Sequence, residues 1–236
     1  MPANSSQAQS VSTAPLPRGK HKLPPEVVAS NQRERLIAGV AGCLAERGYS
    51  ATSVQHIIAA AGVSRATFYA YFDNKRDCVI AAHEVTFERL TARIFRACAS
   101  EREWPLKVKA AIADSLAFVA EDPERARLLF LDALAADLEV ARRVLDSNEH
   151  LAGLLRSGRR HGGGTGPQSE LTEEAVIGAI TSITSGRLLA GQPLDGLEPQ
   201  LVTFALTPYI GSAEAERIAA EPSPAPAPLA EAAAQS

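Results

Sequence analysis

Several of the usual sequence signatures are missing from this chain of 236 residues. Its cysteines are three, Cys43, Cys78 and Cys98, an odd number with no CxxC pair. They read as free thiols of a reducing cytoplasm, and speak against a disulfide framework or a zinc site. No apolar run approaches the roughly 20 residues needed to cross a bilayer. The opening MPANSSQAQSVSTAPLP has neither a charged n-region nor an apolar h-region, so no signal peptide is expected. One methionine, one tryptophan and 5% aromatics leave the core to Ala, Leu, Val and Ile. Sustained period-2 alternation is absent, which argues against strands. There is no P-loop, GxSxG, GxGxxG or HExxH motif, so no cofactor and no metal are expected.

What is present is an ordinary soluble composition, 46% apolar and 22% charged, with an uneven charge. Between Arg18 and Arg76 lie nine Lys/Arg and four Asp/Glu. The chain totals are 24 and 27, so fifteen basic and twenty-three acidic residues remain elsewhere. A basic segment on an acidic body suits a local polyanion, because phosphate attraction acts over about a Debye length.

An all-α chain is expected. Residues 1–30, rich in Ser, Ala, Pro and Gln, read as a disordered arm, and 213–236, with alternating Pro-Ala, as a disordered tail. Helices are predicted at 32–47, 52–60, 64–72, 75–100, 105–120, 122–135, 137–158, 172–190 and 196–210. The stretch His161-Gly-Gly-Gly-Thr-Gly-Pro167 reads as a flexible linker; an oxyanion loop there would need a strand and a nucleophile elbow. These elements divide into the arm, a DNA-binding domain at 31–76, a helical effector-binding and dimerisation domain at 77–212, and the tail.

The segment TSVQHIIAAAGVSRATFYAYFDNK (52–75) places two short helices around a Gly-containing three-residue turn, the form of a helix-turn-helix. Thr52 or Ser53 caps the first and Ser64 the second. Gly62 suits the turn because it has no Cβ to oppose φ > 0. Ile57, Ile58, Val63 and Phe68 can pack on Leu36, Val40 and Leu44. That leaves Ser64, Arg65, Thr67, Tyr69, Ala70 and Tyr71 on the start and outer side of the second helix. An arginine can donate twice to guanine, a threonine offers a hydroxyl and a methyl, and a tyrosine hydroxyl can reach a phosphate.

Over 32–82 the chain resembles the TetR family of bacterial transcriptional regulators, most specifically in GVSRATFYAYFDNK. The resemblance implies an N-terminal three-helix helix-turn-helix domain and a divergent helical C-terminal domain. It implies phosphate contacts from Thr52, Ser53 and Lys75, a base or phosphate contact from Gln55, and DNA-backbone contacts from Tyr69 and Tyr71. By the same likeness Ser64, Arg65, Ala66, Thr67 and Ala70 face the major groove. Ala70, often larger or polar in the family, offers only a methyl, which shifts base reading to Gln55, Arg65 and Thr67. His56 reads as an ordinary surface or packing histidine. Arg18, Lys20, His21 and Lys22 read either as a minor-groove arm or as a solvated tail adding salt-dependent affinity.

One helix-turn-helix covers few base pairs, so a homodimer on palindromic double-stranded DNA is expected. Val176, Ala179, Ile180 and Ile183, with Leu197, Leu201 and Phe204, recur with helical stride and are the candidate dimer face; intramolecular packing is the alternative. The candidate effector pocket is lined by Phe87, Leu90, Phe95, Trp104, Phe118, Leu129 and Phe130, any of which can instead be core. Asp146 and His150, at i, i+4 with Glu149 beside them, read as an exposed helix face. The family implies a repressor released from its operator by an unknown small-molecule effector. A DNA-binding regulator without such an effector stays open, as does a helical enzyme. A pocket of about 300 Å³ or more separates the effector reading from a filled core.

Overall fold

The computed structural model describes residues 25–133, 136, 138–161, 169 and 171–223. The basic residues 18–22, the linker residues 162–167 and the tail residues 224–236 lie outside the described residues. The elements are α1 (Pro25–Ala51), α2 (Val54–Ala61), α3 (Arg65–Tyr71), α4 (Lys75–Ala99), α5 (Trp104–Glu121) and α6 (Pro123–Arg127). A π-helical turn (Leu128–Asp132), α7 (Leu138–Arg156), a 3₁₀ turn (Ser157–His161), α8 (Thr172–Leu189), α9 (Leu197–Ile210) and α10 (Ser212–Ala220) follow. The all-α architecture is as expected, with no strand among the described residues.

Two segments read as tail begin or end in helix. α1 starts at Pro25, a residue suited to the first helical turn, followed by Glu26 near the positive end of the helix dipole. A distant residue ties down these added turns: the Tyr71 hydroxyl donates to the carbonyl of Ala29 at 3.0 Å. At the other end, residues 213–220 belong to α10, not to a tail. Ala215, Ile218 and Ala219 bury one stripe of it, and Arg217 pairs with Glu214 and Glu221 on its outer side, both at 2.6 Å. The buried Lys109 ammonium donates to the carbonyls of Ile218 (2.9 Å), Ala219 (3.2 Å) and Glu221, closing the helix end.

Three apolar clusters organise the chain. The first joins Leu36, Val40 and Leu44 of α1 to Ile57, Phe68 and Val79, and is completed by Leu128 and by Val140 and Val144 of α7. Packing therefore crosses the expected boundary at residue 76. The second cluster joins Trp104 and Val108 to Leu201, Tyr209 and Ile218. The third holds Leu90, Ile94, Phe118 and Leu129. Three successive side chains of the π turn are shared out: Leu128 to the first cluster, Leu129 to the third, Phe130 to the third cluster's edge. The turn is closed by the Ala133 amide on the Leu128 carbonyl, 3.2 Å.

α4 is the rod that links these clusters. Arg93 pins it to α5 by a bidentate pair with Asp114, 2.9 Å on each arm, and by Glu121 at 2.5 Å. Those hydrogen bonds raise the arginine pKa still further. Arg89 reaches Glu34 of α1 at 2.6 Å. His83 is buried on the same helix, stacked on Phe87, and its Nδ1 has no hydrogen-bond partner among the described residues. Burial pushes its pKa down to about 4, so it is neutral at physiological pH.

Candidate nucleic-acid interface and adjoining cavity

Local capping shapes the helix-turn-helix. Ser53 caps α2: its Oγ accepts from the His56 amide while His56 Nδ1 accepts from the Ser53 amide, a reciprocal box. His56 is thus a capping residue, a role that the more familiar Glu or Gln at that position would have announced. At the far end Gly62 takes φ 61° and ψ 36°. Its amide donates to Ala59 and that of Val63 to Ile58, each at 3.2 Å, the two bonds of a Schellman motif. Arg35 of α1 locks the turn by donating to the Gly62 carbonyl at 2.9 Å. A Cβ on residue 62 would stand 2.7 Å from that guanidinium, a second reason for glycine beyond its φ.

Ser64 then caps α3, accepting from the Thr67 amide at 3.0 Å, with its hydroxyl 2.8 Å from that of Thr67. Phe68 and Phe72 anchor α3 in the first cluster, Phe68 fully buried. The opposite face is open: Ser64, Arg65, Ala66, Tyr69 and Ala70 are exposed and Thr67 is half-buried. The Arg65 guanidinium lies over the Tyr69 ring, 5.4 Å from its centre. Ser53 and Gln55 are exposed at the start of α2.

Three of the expected contacts are turned inward. The buried Thr52 hydroxyl bonds to the carbonyls of Gly48 (2.8 Å) and Cys43 (3.1 Å), so Ser53 alone of that pair offers a side chain to a phosphate. Tyr71 is half-buried, its hydroxyl engaged on Ala29. Lys75 donates to the carbonyls of Tyr49 (2.7 Å) and Thr52 (2.8 Å), and burial lowers its pKa. It closes the corner between α1 and α2. Thr52 and Lys75 turn to the α1 end, where the break at Gly48 (φ 73°) brings the carbonyls of Gly48 and Tyr49 within reach, and Tyr71 turns to the start of α1 at Ala29.

Beyond α3, helices α4, α5, α7, α8 and α9 enclose an apolar cavity of about 240 Å³. Of the candidate pocket residues, Leu90, Phe95, Trp104 and Phe130 line it and Phe87, Phe118 and Leu129 do not. Phe118 and Leu129 are buried in the third cluster, and Phe87 sits between His83 and His150. Cys98, Lys107, Ala111 and Ser115 also line the cavity, although none of them was a candidate pocket residue in the sequence, where only the helical stride of α4 and α5 pointed to them. Asp146, Glu149 and His150 form no metal site; no cluster of ligating side chains occurs among the described residues.

The proposed dimer stripe divides. Val176, Leu197 and Leu201 are buried inside the chain, in the second cluster, and Ile180 lines the cavity. These four pack intramolecularly, and Ala179 is half-buried. Ile183 and Phe204 remain outside, 41% and 46% exposed, next to exposed Gly178, Ser182 and Gly186.

Residues 36–82 match the family model described as bacterial regulatory proteins, tetR family. This stretch holds the whole helix-turn-helix, α2 and α3, between most of α1 and the first turns of α4. The HTH-type transcriptional activator FasR of Mycolicibacterium smegmatis is 23% identical over 133 residues, 56% of this chain and 61% of FasR. The transcriptional regulator AcuR of Cereibacter sphaeroides is 37% identical over 81 residues, 33% of this chain and 36% of AcuR. The chain thus spans less than two thirds of each curated relative. The fold is shared more widely: the regulator FadR of Bacillus subtilis, solved with stearoyl-CoA, superposes with a TM-score of 0.65 at 22% identity, over 74% of this chain and 97% of FadR. By name these relatives are transcriptional regulators.

Proposed function

We propose that the chain is a sequence-specific DNA-binding transcriptional regulator, a homodimer that represses from a palindromic operator and is released by a small-molecule effector. The observation that carries this reading is the outer face of α3. Arg65, Tyr69 and Ala70 stand exposed on a helix held rigid by its own caps and by buried Phe68, which suits entry into a major groove. Arg65 supplies the bidentate donor for guanine, and Ser53 supplies a hydroxyl for a phosphate.

The dimer is supported by the exposed remnant of the α8–α9 stripe. Ile183 and Phe204 beside Gly178, Ser182 and Gly186 allow a two-fold close approach of helices. The effector is supported by FadR, a protein of this fold whose structure holds stearoyl-CoA, and by the apolar lining of the cavity, whose volume of about 240 Å³ falls short of the roughly 300 Å³ set above. Coupling follows from α4, which is continuous from the corner at Lys75 to the cavity wall at Leu90 and Cys98. An effector that prefers one placement of α4 lowers DNA affinity by its differential affinity for the two states.

Selection of bound sites from random duplex DNA, followed by titration against salt, tests the proposal. The expected result is a palindromic consensus bound tightly at physiological salt, by two chains per site. Recovery of no consensus, with only weak salt-sensitive binding, overturns it. The position of the consensus relative to a promoter then separates repression from the activation that FasR is named for.

A further inference from the structure

We infer that the α8 wall of the cavity is a polar subsite, where the hydroxyls of Thr184 and Thr181 bind the hydroxyl or carbonyl oxygen of an uncharged, otherwise apolar molecule. This rests on the effector reading above and adds the residues and the chemical class. Inside a helix, a Ser or Thr hydroxyl can be satisfied by the carbonyl one turn back, and this chain uses that bond repeatedly. Thr86 donates to Ala82 (2.7 Å), Thr91 to Phe87 (2.9 Å), Ser115 to Ala111 (2.7 Å), Ser185 to Thr181 (2.7 Å) and Thr207 to Thr203 (2.6 Å). Thr181 and Thr184 depart from the pattern: neither hydroxyl has a hydrogen-bond partner among the described residues. Both residues line the cavity, three positions apart and so on one face of α8, and Thr184 is only 3% exposed. Its oxygen is nonetheless not sealed in the packing. A hydroxyl held out of water without a partner favours any bound molecule that supplies one.

The other polar groups of the wall are engaged or lie elsewhere. Ser115 has given its proton to Ala111, and the Cys98 thiol lies 3.5 Å from the carbonyl of Lys107. Ser157 belongs to the 3₁₀ turn, where the next residue, Gly158, lies against Trp104. The threonines sit at another end. The hydroxyl of Ser185, next to Thr184, is 3.2 Å from the Phe130 carbonyl, and Phe130 packs on the cluster of Leu90 and Val119. Lys107 is the one charged residue of the wall, and it precedes Val119 by twelve residues. That is about 18 Å along α5, too far for its side chain to serve the threonines. An ionised group beside Thr184 would thus be desolvated without a counter-charge. An alcohol or a ketone meets two hydroxyls that can each donate and accept.

Trp104, the only tryptophan, lines the cavity and reports on it. The experiment uses the full chain, the neutral dye N-phenyl-1-naphthylamine, and four probes on one ring: cyclohexyl methyl ketone, 1-cyclohexylethanol, ethylcyclohexane and cyclohexanecarboxylate. The ketone and the alcohol should displace the dye and change Trp104 emission, and the carboxylate should bind more weakly than either. Thr184→Val keeps the shape and removes the hydroxyl. It should weaken the ketone and the alcohol about fivefold and leave ethylcyclohexane as tight or tighter. Thr184→Ser should restore both, and Thr181→Val should weaken the same two probes. Without ligand, Thr184→Val should melt at or above the native temperature, because no hydrogen bond within the protein is lost. Ketone and alcohol affinities unchanged in Thr184→Val overturn the inference, as does a carboxylate that binds tightest. A lowered melting temperature of ligand-free Thr184→Val also overturns it, by showing that the hydroxyl is already bonded. Dye uptake with displacement by none of the four probes overturns it too and leaves the effector cavity standing. Exclusion of the dye overturns both.

Discussion

The ammonium of Lys75 lies 3.9 Å from the centre of the Tyr49 ring and donates to the Tyr49 carbonyl at 2.7 Å. One lysine thus joins the start of α4 to the end of α1 through a hydrogen bond and a cation–π contact. Lys75→Met keeps the stem and removes both. Thermal unfolding should show a loss of about 1–3 kcal/mol, since two carbonyls lose a charged donor. An unchanged melting temperature would return Lys75 to the role of a free phosphate ligand.

Arg65 makes the opposite prediction. It is exposed and bonds to no core group, so Arg65→Ala should leave stability within about 0.5 kcal/mol. Operator affinity should fall by about 1–3 kcal/mol, with specificity relaxed at one base position in each half-site. Competition with single-base operator variants distinguishes this from a uniform loss, which would make Arg65 a phosphate contact.

At Gly158 the ring of Trp104 lies where a Cβ would stand, and the same ring meets Tyr209 edge-on, 4.9 Å between centres. Gly158→Ala must move the indole toward the cavity or off Tyr209. A destabilisation of about 1–3 kcal/mol is expected, as for overpacking generally, together with a shifted Trp104 emission maximum. Native stability with native emission would contradict this packing.

His83 sets a pH dependence. Its folded pKa, about 4, lies below the unfolded value of about 6.5, so between these values the unfolded chain holds the extra proton. Stability is therefore undiminished by His83 above about pH 6.5 and falls as pH drops toward 4, by up to about 3 kcal/mol. Comparing urea midpoints of the native chain and His83→Leu across this window should show a smaller loss in the variant. Parallel losses would assign the acid sensitivity elsewhere.

The helix-turn-helix was legible because its signals are local. Ser53, Gly62 and Ser64 act on backbone groups three or four residues away, and that spacing is written in the chain. The inward turn of Thr52, Tyr71 and Lys75 was not legible because the direction of a polar tip depends on distant carbonyls: Cys43, Ala29 and Tyr49 sit 9, 42 and 26 residues off. The stripe through Val176, Ile183, Leu197 and Phe204 was visible, but helical stride does not distinguish a partner in the same chain from one in another. α10 was hidden by the Pro-Ala run that follows it; its seat depends on Lys109, more than a hundred residues upstream. The cavity's volume was unreadable for the same reason, since a void is a property of several helices together.

The π turn has an evolutionary consequence. Phe130 faces the cavity while Leu128, two residues earlier on the same turn, is fully buried in the cluster that seats α3. A lineage that alters Phe130 to recognise a different molecule perturbs, through one short piece of backbone, the seat of its own DNA reader. Mutations at this turn are pleiotropic by construction. Changes of ligand preference should accumulate first on α5 and α8, at Ala111 or Ile180 for instance, where the cavity wall can drift without reaching the recognition helix.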